Sequence, residues 1–408
     1  MTTTLNTAAV TRQTRHMPRA AKRVLGLLQR LRVGTLHVHG PDGYAQVFGT
    51  HQAPFAAIHI HRWDMCAEVL KSGDIGFAEG YMAGDWTTPA LADLLRLLVA
   101  NRREIEGAIY GHWLGRLAYR VKHLLNRNTR SNSRKNIHAH YDLGNAFYEL
   151  WLDETMNYSS AWFDGDHTRP MAEAQKAKVR RALRMAGVKS GDRVLEIGCG
   201  WGALAEAATT EFGAHITGVT LSTEQLAFAH ARMDWNGVQA QADLRLQDYR
   251  DIQDAAFDAI CSIEMVEAVG QSYWPTYFQT VSRLLKPGGR ACIQSIVIDD
   301  ALFDRYVHST DFIQQYIFPG GCLPSPGEFK KQAEAAGLQV VDSFAFGPDY
   351  AETLRRWRAS FMSSLHEVKL LQFDDRFVRL WEFYLAYCEA AFDEANIDVV
   401  QFTLVKPG

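Results

Sequence analysis

Between residues 194 and 202 the chain reads Val-Leu-Glu-Ile-Gly-Cys-Gly-Trp-Gly, with three glycines at alternate positions behind a carboxylate. Glycine accepts a left-handed backbone and lets the main chain approach a ligand closely, so this spacing could cradle a nucleotide. Val194, Leu195 and Ile197 suit a strand buried on both faces. Leu204 to Ala208 are strong helix formers. A strand, a glycine turn and a helix thus follow in order. A tight turn with no ligand would use the same residues, and the glycines alone do not separate the two readings.

Gly198, Gly200 and Ala203 also satisfy the dinucleotide pattern G-x-G-x-x-G/A, which requires an acid about 20 residues on, at the end of the next strand. That strand is His215 to Thr220, and it runs into Leu221-Ser222; the nearest acid, Glu224, falls inside the following helix. Glu196, two residues ahead of Gly198, stands instead where S-adenosylmethionine (SAM) methyltransferases carry an acid. SAM is the favoured ligand and NAD the alternative.

The elements around this stretch alternate. Strands are expected at 193–197, 216–219, 244–246, 257–263 and 291–297, with helices from Ala203, from Thr223 to about Met233 and from Trp274 to Leu285. This pattern predicts an α/β, doubly wound (Rossmann-like) domain whose ligand lies beyond the carboxyl ends of its strands. Residues 198–202, 220–225, 247–250, 264–270 and 294–298 would then share one rim. Ahead of it, β-like runs and short helices predict a smaller α+β domain. The expected division is a tail at 1–20, an N-terminal domain at 21–125, a polar basic linker at 126–137 and a catalytic domain at 138–408. An insertion at 299–325 has the character of a lid, and the helices across 350–393 are rich in aromatics.

With 408 residues, 47% of them hydrophobic, and a net charge of −3, the whole chain advertises neither a nucleic-acid nor an acidic partner. Residues 101–135 are different: nine basic side chains against two acidic give +7. Trp113, Leu114, Leu117, Val121 and Leu124 recur there at helical spacing, opposite Arg116, Arg120 and Lys122. Such a helix could lie on an anionic membrane surface or present a solvated basic face. Two His-x-His pairs, His37/His39 and His59/His61, lack a carboxylate or Cys partner, so no metal is expected. Six cysteines without a C-x-x-C pair imply neither a disulfide framework nor a zinc site. Neither a signal peptide nor an apolar run long enough to span a membrane is evident, and the expected location is cytoplasmic.

Several motifs together resemble one family. They are Gly76-Phe-Ala-Glu-Gly-Tyr-Met82 with Gly84-Asp-Trp86, His140-Tyr-Asp-Leu-Gly-Asn145, Tyr158-Ser-Ser-Ala161, Glu196 to Gly202, Leu246-Gln-Asp-Tyr-Arg-Asp251 and Tyr316-Ile-Phe-Pro-Gly-Gly321. From about residue 34 onward the chain resembles the cyclopropane-fatty-acyl-phospholipid synthases, a family that includes the mycolic acid cyclopropane synthases. The resemblance implies SAM as donor, an unsaturated acyl chain of a membrane phospholipid as acceptor and peripheral attachment to an anionic membrane surface; a homodimer is left open.

It also implies a chemistry. An alkene is a weak nucleophile, so a sulfonium methyl is the electrophile it requires, and the carbocation left behind must be kept from water. A base then removes a proton. In the family that base is a bicarbonate ion, and the residues carried over to hold it are Ser160, Glu267, Gln294, Ile296 (through its backbone) and Tyr350. Ser160 stands where the family usually has Cys, Gln294 where it has His, and Ala268 where a His follows the glutamate. The departures leave methyl transfer untouched and remove a titratable imidazole from proton abstraction. Ring closure to a cyclopropane is the favoured outcome, with C-methylation to a methyl-branched chain as the alternative. Cys388 lies at a cysteine sometimes proposed as catalytic, although this mechanism needs no thiolate. Around SAM, Tyr158 and Ser159 are expected near the methionine, and Glu196, Gly198, Cys199 and Gly200 around it. Thr220, Ser222 and Gln225 are expected by the ribose, and Gln247 and Tyr249 by the adenine.

Overall fold

The computed structural model describes residues 17–105 and 143–408. Most of the expected tail and basic helix, and the whole expected linker, lie outside them. The described chain forms two compact units, which cut the sequence differently from the expected boundary. One contains 17–105 together with 309–315 and 372–394; the other contains 143–308, 316–371 and 395–408.

In the first unit β1 (Thr35–His39), β2 (Ala45–Gly49), β3 (Phe55–Ile60) and β4 (Trp86–Thr87) form a sheet in the order β2-β1-β3-β4. Parallel register sets His39 against His59, and their rings stack at 4.8 Å. Among the described residues no group of three or more His, Cys, Asp or Glu is placed to hold a metal ion. The glycine-rich motif is the helix Asp74–Ala83. Gly76 is there for close approach: a Cβ on it would stand 2.2 Å from the Glu68 carbonyl oxygen of the preceding helix. Trp86 is fully buried, stacks on Phe77 at 4.2 Å and donates from Nε1 to the Phe77 carbonyl.

The late segments join this unit because their aromatic faces need cover. On the helix Asp375–Asp393, Phe383 packs against Tyr81 and Phe312, and Glu382 accepts from the Tyr81 hydroxyl at 2.7 Å. Phe312 lies in the insertion expected to be a lid, and its N–H donates to Asp74. That insertion is partly helical, at Asp300–Tyr306 and Phe312–Tyr316.

The second unit is built on β5 (Arg193–Ile197), β6 (His215–Thr220), β7 (Ala242–Leu246), β8 (Phe257–Ile263), β9 (Leu285–Ile298), β10 (Gln339–Ala345) and β11 (Ile397–Val405). Their order is β10-β11-β9-β8-β5-β6-β7, and β11, antiparallel to both β9 and β10, alone runs against the others. The sequence reading did not single out β10. Alternate residues of each central strand serve two cores. Val194, Cys261 and Cys292 pack on the side of the Met171–Met185 and Ala203–Thr210 helices. Leu195, Ile260 and Ile293 pack on the side of the Trp274–Leu284 and Pro326–Ala335 helices. A sheet covered on both faces requires apolar runs rather than alternation, which is why these strands were legible. The order reverses between β5 and β8, and the glycine turn follows β5 there.

Among the described residues no helix is long and apolar enough to cross a membrane. All six cysteines are free thiols.

Candidate active site

A cavity opens at the switch point. Tyr158, Ser159, Glu196, Gly198, Cys199, Gly200, Thr220, Gln225, Gln247 and Tyr249 all line it. Backbone geometry explains the glycines: Gly198 and Gly200 have φ of 87° and 51°, in the left-handed region. A Cβ on Gly200 would meet no protein atom within 4 Å, so this turn leaves room for a ligand against its backbone. Ser222 does not line the cavity. Its hydroxyl caps the Thr223–Trp235 helix by accepting from Gln225 N–H, and Thr220 Oγ1 donates to Gln225 Oε1 at 2.9 Å. The Gln247 N–H donates to the Thr220 carbonyl, tying the ends of β6 and β7 together.

Glu196 is almost wholly buried, and its Oε2 has no hydrogen-bond partner. Burial pushes its carboxyl well above the usual range, opposed by Lys178. A buried oxygen left without a partner is costly, and a ligand donor satisfies it. With the open space at Gly200, this fits SAM: the residues above would hold it, and Tyr158 adds an aromatic face beside Trp357, at 5.6 Å.

The second constellation centres on a residue that sequence reading had not singled out. Glu264 follows β8 with φ of 51°, an uncommon backbone for a non-glycine residue and one typical of functional sites. It lines the cavity. Its Oε1 accepts from Ser160 N–H at 2.9 Å and from Gln294 Nε2 at 2.7 Å, and its Oε2 accepts from the Tyr350 hydroxyl at 2.6 Å. Burial raises its pKa, while Lys178 and these three donors oppose the rise. Lys178 is itself fully buried. Its ammonium donates to Ser159 Oγ and to Asn157 Oδ1. Burial lowers its pKa to about 8 against the pull of Glu264, Asp153 and Glu196.

Glu267 sits apart from those donors. Its Oε1 accepts from Ile296 N–H, so the expected backbone contact is made by the carboxylate itself. Burial, followed by the charge of Glu264, pushes its pKa up to about 8. A carboxyl kept protonated in the fold holds a proton that the unfolded chain has released above about pH 4.3, so stability falls as pH rises towards 8. Glu267→Gln keeps an acceptor for Ile296 and lacks the proton. Between about pH 5 and pH 8 its Tm should fall less than that of the unsubstituted protein in scanning calorimetry. Parallel curves would mean that Glu267 is ionised in the fold.

Comparisons with known proteins show the family. Residues 128–402 match the family described as mycolic acid cyclopropane synthetase. The chain belongs to that family. It is a SAM-dependent methyltransferase of the cyclopropane synthase type. The chain is 40% identical to the tuberculostearic acid methyltransferase of Mycobacterium tuberculosis, over 90% of this chain and 87% of that one. It is 33% identical to the cyclopropane-fatty-acyl-phospholipid synthase of Escherichia coli, over 85% and 87%. The crystal structure of the mycolic acid cyclopropane synthase CmaA1 complexed with SAH and CTAB superposes with a TM-score of 0.63 at 31% identity, covering 67% of this chain and 98% of that one.

Within this synthetase-family site, Ser160, Gln294 and Tyr350 come together as the resemblance implied, but around Glu264. Glu267 and Ile296 pair with each other. Cys388 belongs to the other unit, on the Asp375–Asp393 helix, and burial pushes its thiol well up, away from a reactive thiolate. Glu264 fell within the expected rim segment 264–270 without being named as a site residue, and Lys178 and Gln401 were not picked out. Glu264 had a signal in sequence, since it is the first residue past a strand at the switch point. Lys178 and Gln401 had none.

Proposed function

We propose that this protein methylates a double bond in the unsaturated acyl chain of a membrane phospholipid and releases a methyl-branched rather than a cyclopropane chain. The observation that carries the proposal is the convergence of Ser160, Gln294 and Tyr350 on Glu264. Donors expected to hold a bicarbonate ion are directed at a carboxylate of the protein, which supplies the base without a bound anion.

SAM, when bound, supplies the electrophilic methyl group. The protein's own groups do the rest. Tyr158 lines the cavity and offers a π face towards developing positive charge, and Trp357, packed against it, backs that ring and helps to exclude water. Glu264 adds negative charge to the cavity wall and accepts the proton that the methylated chain must lose. A base fixed by three donors at one strand end selects its proton by position. The similarity to the tuberculostearic acid methyltransferase supports the branched outcome over ring closure.

Vesicles of unsaturated phospholipid, incubated with the protein and SAM, provide the test by mass spectrometry. A chain heavier by one CH2 that hydrogenates to a plain methyl branch supports the proposal. A ring that survives mild hydrogenation would replace it with cyclopropanation, and no gain in mass despite SAM binding would sink both.

A further inference from the structure

The hydrogen bonds that end on Glu264 begin at a guanidinium two side chains away. Arg181, on the Met171–Met185 helix, donates from Nη1 to Gln401 Oε1 at 2.6 Å. Gln401 Nε2 donates to Gln294 Oε1 at 3.0 Å, and Gln294 Nε2 donates to Glu264. Gln401 and Gln294 are both fully buried and are register partners on β11 and β9. Strand pairing therefore holds the two amides side by side. Arg181 is anchored in turn by Asp342 at 3.4 Å and by the Phe344 ring at 3.9 Å.

A guanidinium can only donate. Gln401 must therefore turn its carbonyl to Arg181 and its NH2 to Gln294. Gln294 must then turn its carbonyl to Gln401 and its NH2 to Glu264. The direction of every bond in the chain agrees with the first, and the Lys178 carbonyl, accepting from Gln401 Nε2 at 3.3 Å, favours the same orientation of Gln401. If the Gln294 amide were reversed, a carbonyl oxygen would face the Glu264 carboxylate and disfavour its ionised form.

We propose that Arg181 and Gln401 are positioning residues that set the direction of the Gln294 amide and thereby keep Glu264 an ionised, aimed carboxylate. The proposal rests on the reading of Glu264 as the base, yet it concerns the state of Glu264 and can be measured without turnover. The other titratable groups interacting with Glu264 are Lys178, Tyr350 and Glu267.

Gln401→Glu is the sharpest probe. A carboxylate there still accepts from Arg181, but it offers Gln294 only acceptors and so reverses that amide. The Glu264 titration is read from carboxyl-region infrared difference spectra of the protein without SAM, assigned by subtracting the Glu264→Gln variant. It should move up by about one to two pH units, the scale of one charge-assisted hydrogen bond lost. The acidic limb of the kcat profile should move with it. Affinity for SAM should stay within about threefold, because Arg181, Gln401 and Gln294 do not line the cavity. A new carboxylate would also act through its bare charge, so the same change is made in a Gln294→Leu background. There the further shift should largely vanish. An equal shift in that background, or an unmoved titration in folded Gln401→Glu protein, overturns the proposal. If Gln401→Glu does not fold, Gln401→Leu substitutes for it and should give a smaller shift in the same direction; no shift there also overturns the proposal. If the titration moves as described but Glu264→Gln still forms product at the normal rate, the positioning stands and Glu264 is not the base.

Discussion

Glu264→Gln is expected to lower kcat by about 10²–10⁴-fold, the usual contribution of a positioned general base, while SAM binds within a few-fold of its normal affinity. The substituted amide keeps the shape of the side chain. Its carbonyl accepts from Ser160 N–H and Gln294 Nε2, and its NH2 donates to the Tyr350 hydroxyl, which turns from donor to acceptor, so the cluster keeps its shape. It cannot accept a proton, and it withdraws the negative charge facing the reacting chain. Lys178 loses the carboxylate that first holds up its pKa. The measurement pairs single-turnover kinetics with calorimetric titration of SAM. A variant that turns over at the normal rate would move the base elsewhere. A variant that fails only because it no longer binds SAM would make Glu264 part of the SAM-binding wall.

Gly200→Val is expected to weaken SAM binding by about 100-fold or more and to cost about 1–2 kcal/mol of stability. The two effects have separate causes. At φ of 51° a side chain pays the left-handed backbone penalty, which is greater for a branched one. A Cβ at this position meets no protein atom, so the added carbons point into space lining the cavity. One methylene in excess at a fitted site already changes affinity by about 10–200-fold. Calorimetric titration with SAM and a thermal melt separate the two. If the variant melts lower yet binds SAM normally, the glycine is needed only for the turn and the ligand lies elsewhere.

The glycine turn lining the candidate SAM cavity was legible because its determinants are local. Glu196 near the end of β5 and Gly198 and Gly200 in the turn after it lie within five residues, and the missing acid after His215–Thr220 was visible within about 20 residues, the reach of the dinucleotide fingerprint. Strands buried on both faces announce themselves as short apolar runs, so β5, β6, β7, β8 and β9 were found, while β10, with its partly exposed alternation, was not. The assignment of chain to units followed a different logic. Helix Asp375–Asp393 and residues 309–315 join the N-terminal elements because Phe383 and Phe312 bury against each other and near Tyr81, which no local pattern announces.

By itself the sequence determined the doubly wound sheet, SAM as the cofactor and membership of the family, since each is written in short-range spacing that the backbone must obey. Tertiary structure alone decided which carboxylate the polar cluster serves. Ser160, Glu264, Gln294, Tyr350 and Gln401 come from five separate segments. Whether their side chains meet depends on strand register and on the side of the sheet each faces. A register shift of one residue would turn Gln401 to the opposite face and break the chain of bonds from Arg181. That geometry, absent from any short stretch of sequence, moves the expected base from a bound anion to Glu264.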